Sequence, residues 1–142
     1  MANEHVTIIV NHLPSRGAPS YCREDGGSQL KVVKDSLIKA DPAVKLLIMG
    51  DMNDDPQDAS MAVCLGAKRE ISEVSEGGLY NPWWNVLASG TGTLTYQGAW
   101  NLFDQIILSS TLLNQPANTL QLDGYQVFRR KYLIQHDGPY RS

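Results

Sequence analysis

Residues 46–56 read LLIMGDMNDDP, an apolar run of strand length that ends abruptly in glycine, carboxylates, an asparagine and a proline. An uninterrupted apolar run this short fits a strand buried on both faces. The polar cluster then sits at its carboxyl end, where open sheets place their ligands. A second stretch has the same form: residues 5–10, HVTIIV, are β-branched and apolar enough for a buried strand, and they run directly into Asn11-His12-Leu13-Pro14-Ser15-Arg16.

Between these two strands, residues 17–28 carry Gly17, Pro19, Gly26 and Gly27, which predicts a long exposed loop, with at most a broken turn of helix in it. From Ser28 to Ala40, Leu30, Val33, Leu37 and Ile38 recur at helical spacing. Lys31, Lys34, Asp35 and Lys39 take the opposite face, and Asp41-Pro42 stops the helix. After the second strand, Asp55 suits an N-cap and Pro56 a first helical position, so a helix is expected from 56 to about Leu65, with Gly66 ending it.

Residues 68–98 read as a long insertion, with a short helix near 82–88 and a strand at Thr93–Tyr96. Leu102–Leu108, LFDQIIL, reads as a firm strand with Asp104 embedded in it. A carboxylate in so apolar a strand calls for a partner or a metal. One helical turn over 109–113 and a hairpin-like pair, 125–129 with 131–134, complete the expected elements. Alternating strands and helices over 142 residues indicate one domain of the α/β (α+β) class.

Composition narrows the function classes. With 42% hydrophobic and 19% charged residues, the chain can bury an ordinary core. A formal charge of -3 supplies no broad basic surface for indiscriminate binding to long nucleic acids. Cys22 and Cys64 lack metal-ligand spacing and read as reduced thiols, Cys64 as a core residue. Trp83 and Trp84 read as packing rather than as a base-stacking platform. No targeting signal or membrane-spanning run is visible, so the chain is expected to be soluble, its compartment unread.

Among the polar clusters, Asp54 and Asp55 read as turn and cap chemistry. Asp51 and Asn53 follow a buried strand and present a carboxylate beside an amide, a pair able to orient an attacking water and hold a phosphoryl oxygen. His12, Ser15 and Arg16 offer donors to an anionic oxygen. Neither a G-x-S-x-G elbow nor a phosphate-cradling P-loop is present.

NHLPSR at 11–16, GDMNDDP at 50–56 and DQIILS at 104–109, in this order and spacing, resemble the endonuclease/exonuclease/phosphatase superfamily, specifically its carboxyl-terminal half. The resemblance implies a four-layer αββα sandwich, mixed β-sheets flanked by helices, and a metal-dependent phosphodiesterase or phosphatase. It implies that Asp51 orients or deprotonates the attacking water and is a candidate metal ligand. Asn53 would lie beside the scissile phosphate and His12 would bind it, with Asn11, Ser15 and Arg16 as further phosphate contacts. Asp104 would orient a final catalytic histidine.

The family's metal-binding glutamate is expected before residue 1, and its closing Ser-Asp-His after residue 142. His136-Asp137-Gly138 has the wrong order, and His136 is not assigned to catalysis. The chain is thus expected to be a partial domain lacking the amino-terminal half and final strand. The cofactor implied is magnesium, with manganese as a substitute. The implied substrate is a phosphate ester: nucleic acid, a phospholipid headgroup or a small phosphoester. The competing expectation is a non-catalytic structural or binding domain. In either case a sheet face built to meet a second sheet would leave an isolated chain prone to self-association.

Overall fold

A computed structural model describes residues 4–140. Its centre is a four-stranded mixed sheet of β1 (Val6–His12), β2 (Lys45–Asp51), β3 (Leu79–Tyr80) and β6 (Asp104–Ser109), in the order β1-β2-β6-β3. β1 and β2 are parallel, joined through helix α1 (Ser20–Ala40); β6 is antiparallel to both β2 and β3. A second, two-stranded sheet pairs β4 (Leu94–Tyr96) with β5 (Ala99–Asn101), and a short helix α2 (Trp83–Ala88) precedes it. The chain is of the mixed α+β class, with sheets flanked by helices, as its sequence predicts.

The main sheet has two unlike faces, because successive strand residues point to opposite sides. Leu46, Ile48 and Ile107 are fully buried in a core with Leu30 of α1, Leu13, Met52, Met61, Leu65 and Leu79. On the other side, a smaller cluster of Tyr80, Leu108, Leu112 and Leu113 covers one end. Ile8, Val10 and Ile106 remain exposed there, Val10 at 74%.

The sequence misreads residues 20–28. They form the first two turns of α1 instead of a loop, and Gly26 and Gly27 lie within the helix. Glycine normally weakens a helix by about 1 kcal/mol relative to alanine. Here the absence of a side chain permits close approach. A Cβ on Gly27 would lie 2.2 Å from the Ser60 carbonyl oxygen, and one on Gly26 would lie 2.7 Å from a Leu13 methyl. The glycines therefore let α1 settle onto the segment that follows β2.

That segment also departs from expectation. Instead of a helix from 56, a turn over Asp55–Asp58 leads into a π-helical stretch, Ser60–Leu65, closed by Gly66 in the left-handed conformation. Asp55 does not cap it, because its carboxylate accepts the Leu102 N–H and an Arg16 N–H instead. The expected hairpin at 125–134 is also not formed: the chain there is irregular except for one 3-10 turn, Lys131–Leu133. Cys64 is half-buried and not a core residue. The predicted short helix, the strand at 94–96 and the turn after β6 are present.

Gly27→Ala should destabilise the chain by about 1–3 kcal/mol, the usual range for overpacking a close contact. Gly124→Ala, where a Cβ meets nothing within 4 Å, should be near neutral. Urea denaturation of the two variants checks the difference.

Candidate active site

The carboxyl ends of β1 and β2 and the start of β6 meet at one edge of the sheet. His12 pairs in register with Asp51, and Asp51 pairs with Asp104. These three residues share the exposed face, because the residues that precede or follow them on each strand are directed to the other side. His12 Nε2 lies 3.5 Å from Asp51 Oδ2, with the imidazole largely exposed and the carboxylate about one-third exposed.

Gly50 allows this convergence. Its φ of +137° belongs to glycine, and a Cβ there would lie 1.9 Å from the Asn11 carbonyl oxygen. Any side chain would push β1 and β2 apart one residue before His12 and Asp51. Beyond the strand, Asp51 Oδ1 accepts the Asn53 backbone N–H at 2.9 Å, a local carboxylate-to-backbone turn. Asn53 takes a left-handed φ of +48° and donates from Nδ2 to the Leu13 carbonyl at 2.9 Å.

Asp104 does not occupy the buried position its apolar neighbours suggest. It is the first residue of β6 and is exposed, while Gln105 beside it is buried. Strand alternation explains the exchange: the residue that needs partners in the core is Gln105, which donates to the Asp54 and Leu102 carbonyls and accepts from Asn81 Nδ2. The Asp104 backbone N–H donates to Thr93 Oγ1.

The remaining predicted residues lie elsewhere. Asn11 alternates to the opposite face from His12, and its amide donates to the Met49 carbonyl. Arg16 spends its donors on the Asn53 carbonyl, Asn101, Asp55 and Asp58, and its guanidinium lies 4.5 Å from the centre of the Phe103 ring. Ser15 is exposed, and its backbone carbonyl accepts from Arg23. The structure thus gathers His12, Asp51 and Asp104 on one face with Asn53 tied to Asp51, turns Asn11 to the other face, and engages Arg16 with the turn after β2.

Behind the site lies a charged layer that sequence reasoning missed. Arg23 and Asp54 are both buried; Arg23 Nε donates to Asp54 Oδ1 at 2.7 Å, and Ser60 Oγ donates to the other Asp54 oxygen at 2.7 Å. Arg23 also donates to the Ser15 and Ala18 carbonyls, tying the two polar segments together. Its signal was hidden because it lay in residues read as a loop. Burial pushes the Asp55 carboxyl up, against the opposing pull of the Leu102 N–H and Arg16.

A family model described as endonuclease/exonuclease/phosphatase family matches residues 1–142. The chain belongs to the endonuclease/exonuclease/phosphatase family. No curated protein and no solved structure matches it. Membership places the chain among phosphoester hydrolases, which typically depend on a divalent metal.

Among the described residues, no three His, Cys, Asp or Glu side chains converge to hold a metal. What the site offers is two carboxylates, Asp51 and Asp104, at in-register positions of adjacent strands. Magnesium is commonly held by one or two carboxylates together with substrate phosphate, so this donor set fits a hard cation shared with substrate.

Removing one partner of a buried ion pair strands the other charge, which typically costs about 3–5 kcal/mol. Arg23→Met should destabilise by this amount, and adding Asp54→Leu should restore part of it. Denaturant unfolding of the single and double variants measures both.

Proposed function

We propose that this chain supplies much of the active site of a phosphoric ester hydrolase of the nuclease, phosphodiesterase or phosphatase type, the hydrolysis belonging to the intact protein. The observation that supports it is the in-register row His12, Asp51 and Asp104 across three adjacent strands, all on one accessible face. Carboxylates directly opposite one another repel. A site that keeps two of them at an exposed edge, beside an imidazole, suits an incoming cation and a phosphate.

In this reading Asp51 orients the attacking water and takes its proton. Its other oxygen is held by the Asn53 N–H, which fixes the direction of the carboxylate. Asn53, anchored through the Leu13 carbonyl, directs its amide toward the phosphoryl group, and His12 donates to a phosphoryl oxygen as charge develops there. Ser15, exposed at the same loop, is an additional phosphate donor.

Asp51 and Asp104 would hold magnesium, or manganese in its place. A bound metal would polarise the phosphoryl oxygen and acidify the attacking water. Asp104 also suits a second task, orienting a catalytic histidine, as the resemblance implies.

Asp104 also borders a cleft of about 650 Å³, lined by Met49, Thr93, Trp100, Ile106 and Arg129 among others. A cleft of this size suits the organic part of an ester. Nucleic acid, a phospholipid headgroup and a small phosphoester all fit the proposed chemistry. No helix among the described residues is long and apolar enough to cross a membrane. The exposed Ile8, Val10 and Ile106 support self-association of the chain when that face is uncovered.

Asp51→Asn should lower metal-dependent hydrolysis of a chromogenic phosphodiester by at least ~100-fold, the low end for general base catalysis. His12→Ala should fall by a comparable order. Circular dichroism should be unchanged in both, and near-normal turnover in either variant refutes that residue's role.

A further inference from the structure

Arg16 follows the histidine segment with the charge and fork of a phosphate ligand, yet its donors are engaged by acceptors of the chain itself. Nε donates to the Asn53 carbonyl at 3.2 Å and Nη1 to Asn101 Oδ1 at 3.2 Å. Nη2 donates to Asp55 Oδ2 at 3.2 Å and to Asp58 Oδ2 at 2.8 Å. A planar guanidinium can serve acceptors in several directions within one plane, which a lysine ammonium cannot reproduce. The group therefore joins three separate pieces of chain: the segment after β1, the turn after β2, and β5.

The acceptors are themselves tied. Asp55 Oδ1 accepts the Leu102 N–H at 2.6 Å, and Asp58 Oδ2 accepts the Asp55 N–H at 2.8 Å. One face of the guanidinium rests on the Phe103 ring, and Phe103 in turn accepts the Met52 N–H at 2.7 Å through its carbonyl. Asn53 is thereby fixed at three points. Arg16 holds its carbonyl, Asp51 its N–H and Leu13 its side chain, while its backbone takes a left-handed φ that asparagine tolerates better than most residues.

We propose that Arg16 is a positioning residue for Asn53, clamping the Asp51–Asp55 turn, and that it does not contact the phosphate. The assignment of Asn53 to the reaction rests on the function proposed above; the clamp itself rests on the contacts just described. Losing Arg16 leaves the charge balance of Asp55 and Asp58 disturbed and releases the Asn53 carbonyl, so the turn samples other conformations while the sheet, held by its own ladder and core, stays intact.

The test compares Arg16→Met, Arg16→Lys and Asn101→Ala with the parent chain, by nuclear magnetic resonance of the Asn53 side-chain amide, amide hydrogen exchange, and steady-state hydrolysis of a chromogenic phosphodiester with magnesium. In Arg16→Met, exchange at the Asn53 and Asp55 N–H groups should rise about tenfold or more, the order expected for losing charge-assisted hydrogen bonds. The Asn53 side-chain signals should shift, and kcat should fall about tenfold at nearly constant KM. Arg16→Lys should not rescue the signals. Asn101→Ala, which leaves every charge in place, should move them in the same direction by less.

A raised KM at constant kcat with unmoved Asn53 signals would make Arg16 a phosphate ligand and overturn the proposal. So would loss of protection throughout the sheet in both Arg16→Met and Asn101→Ala, which would make the contact a general fold determinant. A parent chain without hydrolysis sinks the functional reading alone, because the exchange and amide signals still decide whether the clamp exists.

Discussion

The buried Arg23–Asp54 pair is the constraint on which the site's architecture depends. Asp54 belongs to the turn after β2, Arg23 to the first turns of α1, and the carbonyls that share Arg23 belong to the segment after β1. Two charges in a low-dielectric setting must remain paired, so these three segments cannot drift independently. Ser60 extends the constraint into the π-helical stretch, whose carbonyl meets Gly27 one turn further along α1. Electrostatics and steric fit thus act on the same two surfaces. Asp54 directly follows Asn53, so the pair anchors the turn that carries residues the proposed chemistry needs.

The acidic run of the sequence separates in space into two kinds of carboxylate. Asp54, Asp55 and Asp58 are met by Arg23 and Arg16, and Asp54 and Asp55 are buried. Asp51 is left at the surface with the exposed His12 as its nearest basic group. Adjacent identical side chains therefore divide their work: some neutralise cations within the fold, and one faces solvent with its charge available. Turn propensity explains why aspartate suits all of these positions locally, but only long-range partners distinguish them.

Strand ends were legible because apolar runs stopping at Asn11-His12 and Gly50-Asp51 carry their own boundary. Those same boundaries located His12, Asp51 and Asn53. Gly26 and Gly27 misled because local propensity counts the missing side chain as a helix penalty, whereas tertiary contact requires it. Asp104 misled for a related reason: hydrophobic neighbours suggest burial, but a strand's period of two allows a buried Gln105 beside an exposed aspartate. Arg16 showed its chemistry in sequence but not its direction, which is set by acceptors more than thirty residues away. The 125–134 segment is apolar enough for strands, but among the described residues it pairs with none.

The alternation that places His12, Asp51 and Asp104 on one face places Asn11, Gly50 and Gln105 on the other. Each set is suited only to its own side: three groups accessible to solvent, against an interstrand amide contact, a residue with no side chain and a buried hydrogen-bonded amide. Insertions and deletions near these strand ends are therefore unequal in consequence. A change of one residue within β1 or β2 exchanges the two sets, while a change of two preserves them. An insertion or deletion at this edge therefore keeps the site's facing only in even steps, or when it falls in the connecting loops, so the parity of these strands is part of the site.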